Sequence, residues 1–140
     1  MSRIRSPRRG ANAVEFALIA PVFFLMTFGI IEFGWFFWHK STTIDAVRSG
    51  CRAGSLFAAN DIPQNDTAVD VALREMGSRL QTGGVCTSEC AIDAYTQRAA
   101  GTEFLYCTAA VDYDPLLGFL PDRLVPDVST ARSFVRLELQ

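Results

Sequence analysis

The sequence predicts an α+β chain: a long N-terminal membrane helix, then a small head with one further helix and an antiparallel sheet of about three strands. Three observations carry this prediction. Phe16 to Ile31 is a run of 16 residues without a charge. The stretch after it, Thr42 to about Ala59, keeps small and apolar residues at three- and four-residue spacing, as one face of a helix does. The last third carries strand-like segments broken by turn residues, and all four cysteines lie C-terminal to the apolar run.

The first ten residues form a polar leader, Met-Ser-Arg-Ile-Arg-Ser-Pro-Arg-Arg-Gly. Arg3, Arg5, Arg8 and Arg9 precede the first acid, Glu15. Without those four arginines, the 13 basic side chains become nine against 15 acidic ones, so the remainder is acidic. A nucleic-acid partner would need a basic face, and none is indicated. The basic start suits the cytoplasmic flank of an apolar span, which places the N-terminus inside and the rest across the membrane.

Residues 11–58 read as one helix, on the order of 70 Å long at the α-helical rise, with a transmembrane part at about 16–38. Trp35 and Trp38 fall where an interfacial aromatic belt belongs, and His39, Lys40 and Ser41 mark the exit into water. Pro21 removes a backbone donor and is expected to bend the helix. Beyond the span, Ile44, Val47, Cys51 and Gly54 form the apolar stripe, with Asp45, Arg48 and Arg52 elsewhere on the surface. A helix this long exceeds what a bilayer requires, so its outer half must pack on the head or on other subunits.

The head, residues 59–140, begins at the turn signal Asn60-Asp61-Ile62-Pro63. A second helix is expected from near Asp66, with Val69, Leu73, Met76 and Leu80 on one face and Gly83-Gly84 as its stop. Strands follow at Ala91–Thr96 and Glu103–Asp112, joined through residues 98–102, and a last one at about Val128–Leu139. Between them, Asp114 to Pro126 reads as a loop whose Leu116, Leu117, Phe119 and Leu120 are expected to cover the sheet.

A head this small needs disulfides or partners to be stable. Cys51, Cys86, Cys90 and Cys107 allow three pairings, and the sequence does not choose among them. Cys86–Cys90 with Cys51–Cys107 is favoured, because the first closes a short loop and the second staples helix to sheet. With the basic end inside, all four face an oxidising compartment, where pairing outweighs a zinc set.

The most informative stretch is Arg8-Arg9-Gly10-Ala11-Asn12-Ala13-Val14-Glu15-Phe16-Ala17-Leu18. Gly10, at the border between basic leader and apolar helix, has no side chain to keep a membrane-embedded protease from an extended backbone. Cleavage there would leave Ala11 as a free amine at a helix start. Glu15 is the odd residue, since a carboxylate costs about 2.5–3.5 kcal/mol at a bilayer centre on insertion scales. One turn from the new terminus, the helix dipole lowers that cost. The α-amine of a staggered neighbouring subunit would lower it further, making Glu15 a register device.

These residues resemble the N-terminus of type IV pilin-like proteins, and specifically the TadE-like family of the Tad (Flp) pilus system. The resemblance rests on Arg9-Gly-Ala-Asn-Ala-Val-Glu-Phe-Ala-Leu-Ile-Ala-Pro21, on Phe28-Gly-Ile-Ile-Glu-Phe-Gly34, and on Ala46-Val-Arg-Ser-Gly-Cys-Arg-Ala-Gly54. It implies a pilin-like helix, a prepilin leader cut between Gly10 and Ala11 by a prepilin peptidase, and a role as a minor pseudopilin. Glu15 with Phe16 matches the glutamate five residues past the cleavage point, and Glu32 with Gly34 matches a second Glu-x-Gly element. The implied partners are the prepilin peptidase, other pilin-like subunits (the major pilin and a second minor pseudopilin) and the inner-membrane pilus assembly platform. The implied location is the bacterial inner membrane, in a single pass with a periplasmic head, or the pilus itself.

Enzymatic readings have little support. No catalytic residue, metal site or cofactor is expected: His39 is the single histidine and reads as an interfacial anchor, and no nucleophile–base set stands out. Glu32 reads either as a carboxylate snorkelling at the outer membrane boundary or as a contact to an assembly partner. Ala13/Ala17 and Gly50/Gly54 are spaced for close helix packing. Two rivals remain: a signal-anchored extracytoplasmic binding module without a filament role, and a metal-dependent or thiol enzyme.

Overall fold

The computed structural model describes residues 9–59, 67–86, 90–118 and 128–137. Most of the leader, the Asn60–Pro63 turn and the second half of the Asp114–Pro126 loop lie outside them. One helix, α1 (Arg9–Ala59), runs through 51 residues, or roughly 76 Å. Its N-terminal half is built of Ala, Leu, Ile, Phe and Val, and it passes Pro21 without a break. Thr27 returns its hydroxyl to the Phe23 carbonyl at 2.8 Å, so that polar group is satisfied within the helix.

The second helix, α2 (Ala68–Thr82), starts on a capping box. The Thr67 side chain accepts from the Asp70 amide at 3.3 Å, and the Asp70 carboxylate accepts from the Thr67 amide at 2.9 Å. Asp70 is held below the ordinary carboxylate range, chiefly by the Thr67 hydroxyl and then by the Thr67 amide. Ala72, Met76 and Leu80 are buried, with Val69 and Leu73 packed beside them. The helix ends as Gly83 and Gly84 return their amides to Arg79 and Gln81.

Three antiparallel strands, β1 (Ala91–Ala99), β2 (Thr102–Asp112) and β3 (Val128–Leu137), lie in the order β1-β2-β3. Pairing of Ala99 with Thr102 leaves a two-residue hairpin, Ala100-Gly101, both at positive φ (51° and 80°). That is the handedness a tight hairpin requires, and it lets both strands run longer at this end than the turn residues in 98–102 suggest. Along β2, Leu105, Cys107, Ala109 and Val111 are buried. Their neighbours Ala94, Ala131 and Ser129 on the flanking strands continue that inner face.

Both helices cover this face, α1 over β2 and β3 and α2 over β1. The two helices run antiparallel: Thr42 meets Gly83, Gly50 meets Met76 and Gly54 meets Ala68. A Cβ on Gly50 would stand 2.8 Å from the Ala72 carbonyl, and one on Gly54 would stand 2.7 Å from Leu105. The Gly50/Gly54 pair therefore serves contacts inside this chain. Cys51–Cys107 joins α1 to β2 at the centre of the core, with Cα atoms 5.8 Å apart, and Cys86–Cys90 closes the short loop before β1.

Candidate assembly helix and the seam that carries the head

α1 divides into two unlike halves. From Asn12 to Ile31 no residue is buried. Phe16, Leu18 and Ile30 are each at least 70% exposed, and Val14, Ile19, Phe23 and Met26 are similarly open. About 20 residues at the helical rise give roughly 30 Å, the thickness of a bilayer's hydrocarbon core. This apolar helix is a candidate membrane span.

At Glu32 the character changes. Glu32, His39, Thr43, Val47, Gly50 and Gly54 are buried along one stripe that faces the head. Asp45, Arg48 and Arg52 stay on the exposed side, as the amphipathic reading requires. The stripe begins earlier than Ile44, where the sequence reading placed it, because polar residues at heptad spacing (Glu32 and His39) continue it toward the span.

The span-proximal end of this seam is a cluster around Tyr113, which follows directly on β2. The Tyr113 hydroxyl donates to Glu32 Oε1 at 3.4 Å, and the Leu117 amide donates to Glu32 Oε2 at 2.9 Å. Trp35 Nε1 donates to the Asp114 carbonyl at 3.2 Å. The Tyr113 ring stands edge-on to Phe36 and His39, each with centroids 5.5 Å away. Burial raises the Tyr113 phenol above its ordinary value, and the neighbouring Glu32 carboxylate raises it further. The phenol therefore stays protonated and able to donate.

This arrangement revises several expectations. Glu32 is fully buried and satisfied within the chain, so the snorkelling reading does not describe it. His39 is not an exit residue in water but is 5% exposed, packed between Trp35 and Tyr113, and its ring nitrogens make no hydrogen bond among the described residues. Trp35 is drawn into the seam, whereas Trp38 remains 56% exposed, as a belt residue would. Leu116 and Leu117 lie beside α1 rather than over the sheet, because the Leu117 amide is fixed to Glu32 and both side chains remain about half exposed.

The other singled-out residues are scattered along α1. Glu15 and Phe16 are exposed on the bare half, about 25 Å along the axis from Glu32. Gly34 faces open space, with nothing within 4 Å of an added Cβ. Gly10 and Ala11 lie in the first turn of α1, so proteolysis between them requires that turn to open. Tyr113 was missed by sequence reasoning. Its contact to Glu32 spans 81 residues, and the available hint was a polar residue on the helical stripe with no partner nearby in sequence.

The outer sheet face carries a second surface. Tyr95, Tyr106 and Phe134 stack across the three strands with centroids 5.3 and 5.9 Å apart, flanked by Asp93 and Arg132. Among the described residues no group of His, Cys, Asp and Glu is arranged to hold a metal ion.

Exposed apolar helix, position-15 carboxylate and buried Glu32 are features of one contiguous segment. Residues 10–52 match the family of TadE-like proteins. These residues are similar to that family. The TadE-like segment runs from the glycine at the leader border through Glu15, Glu32 and Gly34 to Cys51. It takes in the bare half of α1 and most of the seam, while α2 and the sheet lie outside it. No curated protein and no solved structure matches the chain.

Proposed function

We propose that this protein is a minor pilin-like subunit, a pseudopilin, taking part in assembly of a Tad/Flp-type pilus. The observation that carries the reading is the match to TadE-like proteins at residues 10–52, a segment that includes the helix half no part of the head covers. An uncovered apolar helix of bilayer length needs either lipid or other apolar helices around it. A pilin-like subunit uses both in turn, first as a membrane precursor and then in a packed bundle.

In this reading a prepilin peptidase cuts between Gly10 and Ala11, and the new Ala11 amine meets Glu15 of an adjacent, axially staggered subunit. Glu15 is exposed and has no partner among the described residues of its own chain, which suits an intermolecular role. The orientation is N-terminus cytoplasmic and head periplasmic, set by Arg3, Arg5, Arg8 and Arg9. The two disulfides suit that compartment. Partners are the peptidase, other pilin-like subunits and the inner-membrane assembly platform. The protein performs no catalysis and takes no cofactor.

Co-expression with a prepilin peptidase from the same genome, followed by intact-mass measurement, tests the reading. Loss of the ten-residue leader is expected. Glu15→Ala should leave cleavage largely intact and block incorporation. Uncut protein in the presence of active peptidase would leave a signal-anchored extracytoplasmic module as the better description.

A further inference from the structure

We propose that residues 114–117, directly after β2, form a second membrane contact: Leu116 and Leu117 insert into the lipid interface and hold the head upright on its helix. The inference rests on the membrane-anchored reading of α1 and adds to it a lipid-binding element in the head.

Position along α1 carries the argument. The bare apolar half ends at Ile31, and Glu32 is the first buried residue of the seam. Counted as about 20 residues from Asn12, the hydrocarbon core ends near Ile31–Glu32, and the span read from the sequence, to about residue 38, takes in the interfacial zone beyond it. The loop is fixed to α1 at that level by two hydrogen bonds, Leu117 amide to Glu32 at 2.9 Å and Trp35 indole to the Asp114 carbonyl at 3.2 Å. The loop therefore cannot ride far above the bilayer surface while the head stays docked.

Composition agrees with placement. Leu116 is 54% and Leu117 50% exposed, two adjacent large apolar side chains that the head leaves uncovered. On α1 the same level carries exposed Phe28, Ile30, Ile31 and Phe33, so the leucines stand at a height where the helix is apolar around most of its circumference. The opposite end of β2, at Ala100-Gly101, lies about 35 Å away at the strand rise and carries no comparable pair. Buried Glu32 then has a clear use. At the edge of lipid, the Leu117 amide and Tyr113 hydroxyl would lack partners, and the carboxylate satisfies both.

The contact fixes the azimuth and tilt of the head. A single helix allows the head to swing and rotate over the membrane, whereas two contacts present one face to neighbouring subunits. The occupant is lipid of the host bilayer, with the interfacial zone receiving the leucines.

Site-directed spin labelling of the full chain in phosphatidylethanolamine–phosphatidylglycerol nanodiscs tests this. All four native cysteines are paired, so a label attaches only to an introduced thiol. Labels at Leu116→Cys, Ile19→Cys and Gln97→Cys are compared for collision with oxygen, which concentrates in lipid, and with a water-soluble nickel chelate. The expected oxygen-to-nickel ratio at 116 is several-fold above that at 97 and approaches that at 19. A lipid-like ratio at 19 with a water-like ratio at 116 would overturn the proposal and leave the membrane anchor standing. A water-like ratio at 19 would overturn both. Shielding of the 116 label from both reagents would identify a protein neighbour as the occupant and also overturn it.

Discussion

Removing the Glu32 carboxylate should release the loop from α1 while leaving the core in place. Glu32→Ala deletes the acceptor for the Leu117 amide at 2.9 Å and for the Tyr113 hydroxyl at 3.4 Å. A hydrogen bond to a charged group contributes about 1.5–3 kcal/mol, and the longer Tyr113 bond about 1 kcal/mol or less. The loss is therefore about 2–4 kcal/mol of loop docking, which corresponds to roughly 30- to 900-fold in the opening equilibrium. Glu32→Gln should cost only about 1 kcal/mol, because it keeps one carbonyl acceptor and spares the desolvation of a buried charge. Hydrogen–deuterium exchange of the full chain in nanodiscs reads this directly at the amides of residues 113–118. In Glu32→Ala these should lose protection while amides of β2 near Cys107 keep theirs. Unchanged exchange at Leu117 in Glu32→Ala, or equal damage from Glu32→Gln, would refute the hydrogen-bond reasoning.

Other perturbations separate the forces holding the seam. Gly50→Val should destabilise the head by about 1–3 kcal/mol or more in thermal melts, since its Cβ meets Met76 and the Ala72 carbonyl. Gly34→Ala, with open space around it, should leave the melt unchanged or slightly raised, so any assembly defect it causes is intermolecular. Replacing the Cys51–Cys107 pair by alanines should cost about 4 kcal/mol from a separation of 56 residues, against about 2 kcal/mol for Cys86–Cys90 at a separation of 4. The two double variants should therefore differ visibly in denaturant midpoint. Tyr113 carries a pH signature. Its phenol is raised in the folded state by burial and by Glu32, so its contribution is fully present below the unfolded value of about 10 and lost as pH rises through the folded one. The stability gap between wild type and Tyr113→Phe should accordingly shrink in alkaline unfolding above about pH 10.

Much of the architecture was legible in the sequence, for reasons that are local. The uncharged run Phe16–Ile31 fixed a helix that needs lipid or helical neighbours, and small-residue spacing at Gly50 and Gly54 marked a face of close approach. Gly83-Gly84 and the turn residues within 98–102 marked the end of the second helix and the hairpin, and the structure narrowed that hairpin to Ala100-Gly101. The favoured cysteine pairing is the one in the structure, although spacing alone left three choices. The motif residues Gly10, Ala11, Glu15, Phe16, Glu32 and Gly34 were legible as a pattern, and residues 10–52 match the TadE-like family.

Tertiary structure alone decided what these residues touch. Helical periodicity could place Glu32 and His39 on the same face, but not say whether lipid, water or the head would cover that face. The answer depends on Tyr113 and Leu117, more than 80 residues away, arriving at the end of β2 at the right height. The same arrival brought Leu116 and Leu117 to the level where the bare helix ends, instead of over the sheet. Long-range pairing of this kind leaves no local trace, because each partner is individually an ordinary residue in its own element. Short-range propensity determined the elements of this protein; the docking of one strand end on one helix determined where its buried carboxylate and its exposed leucines lie.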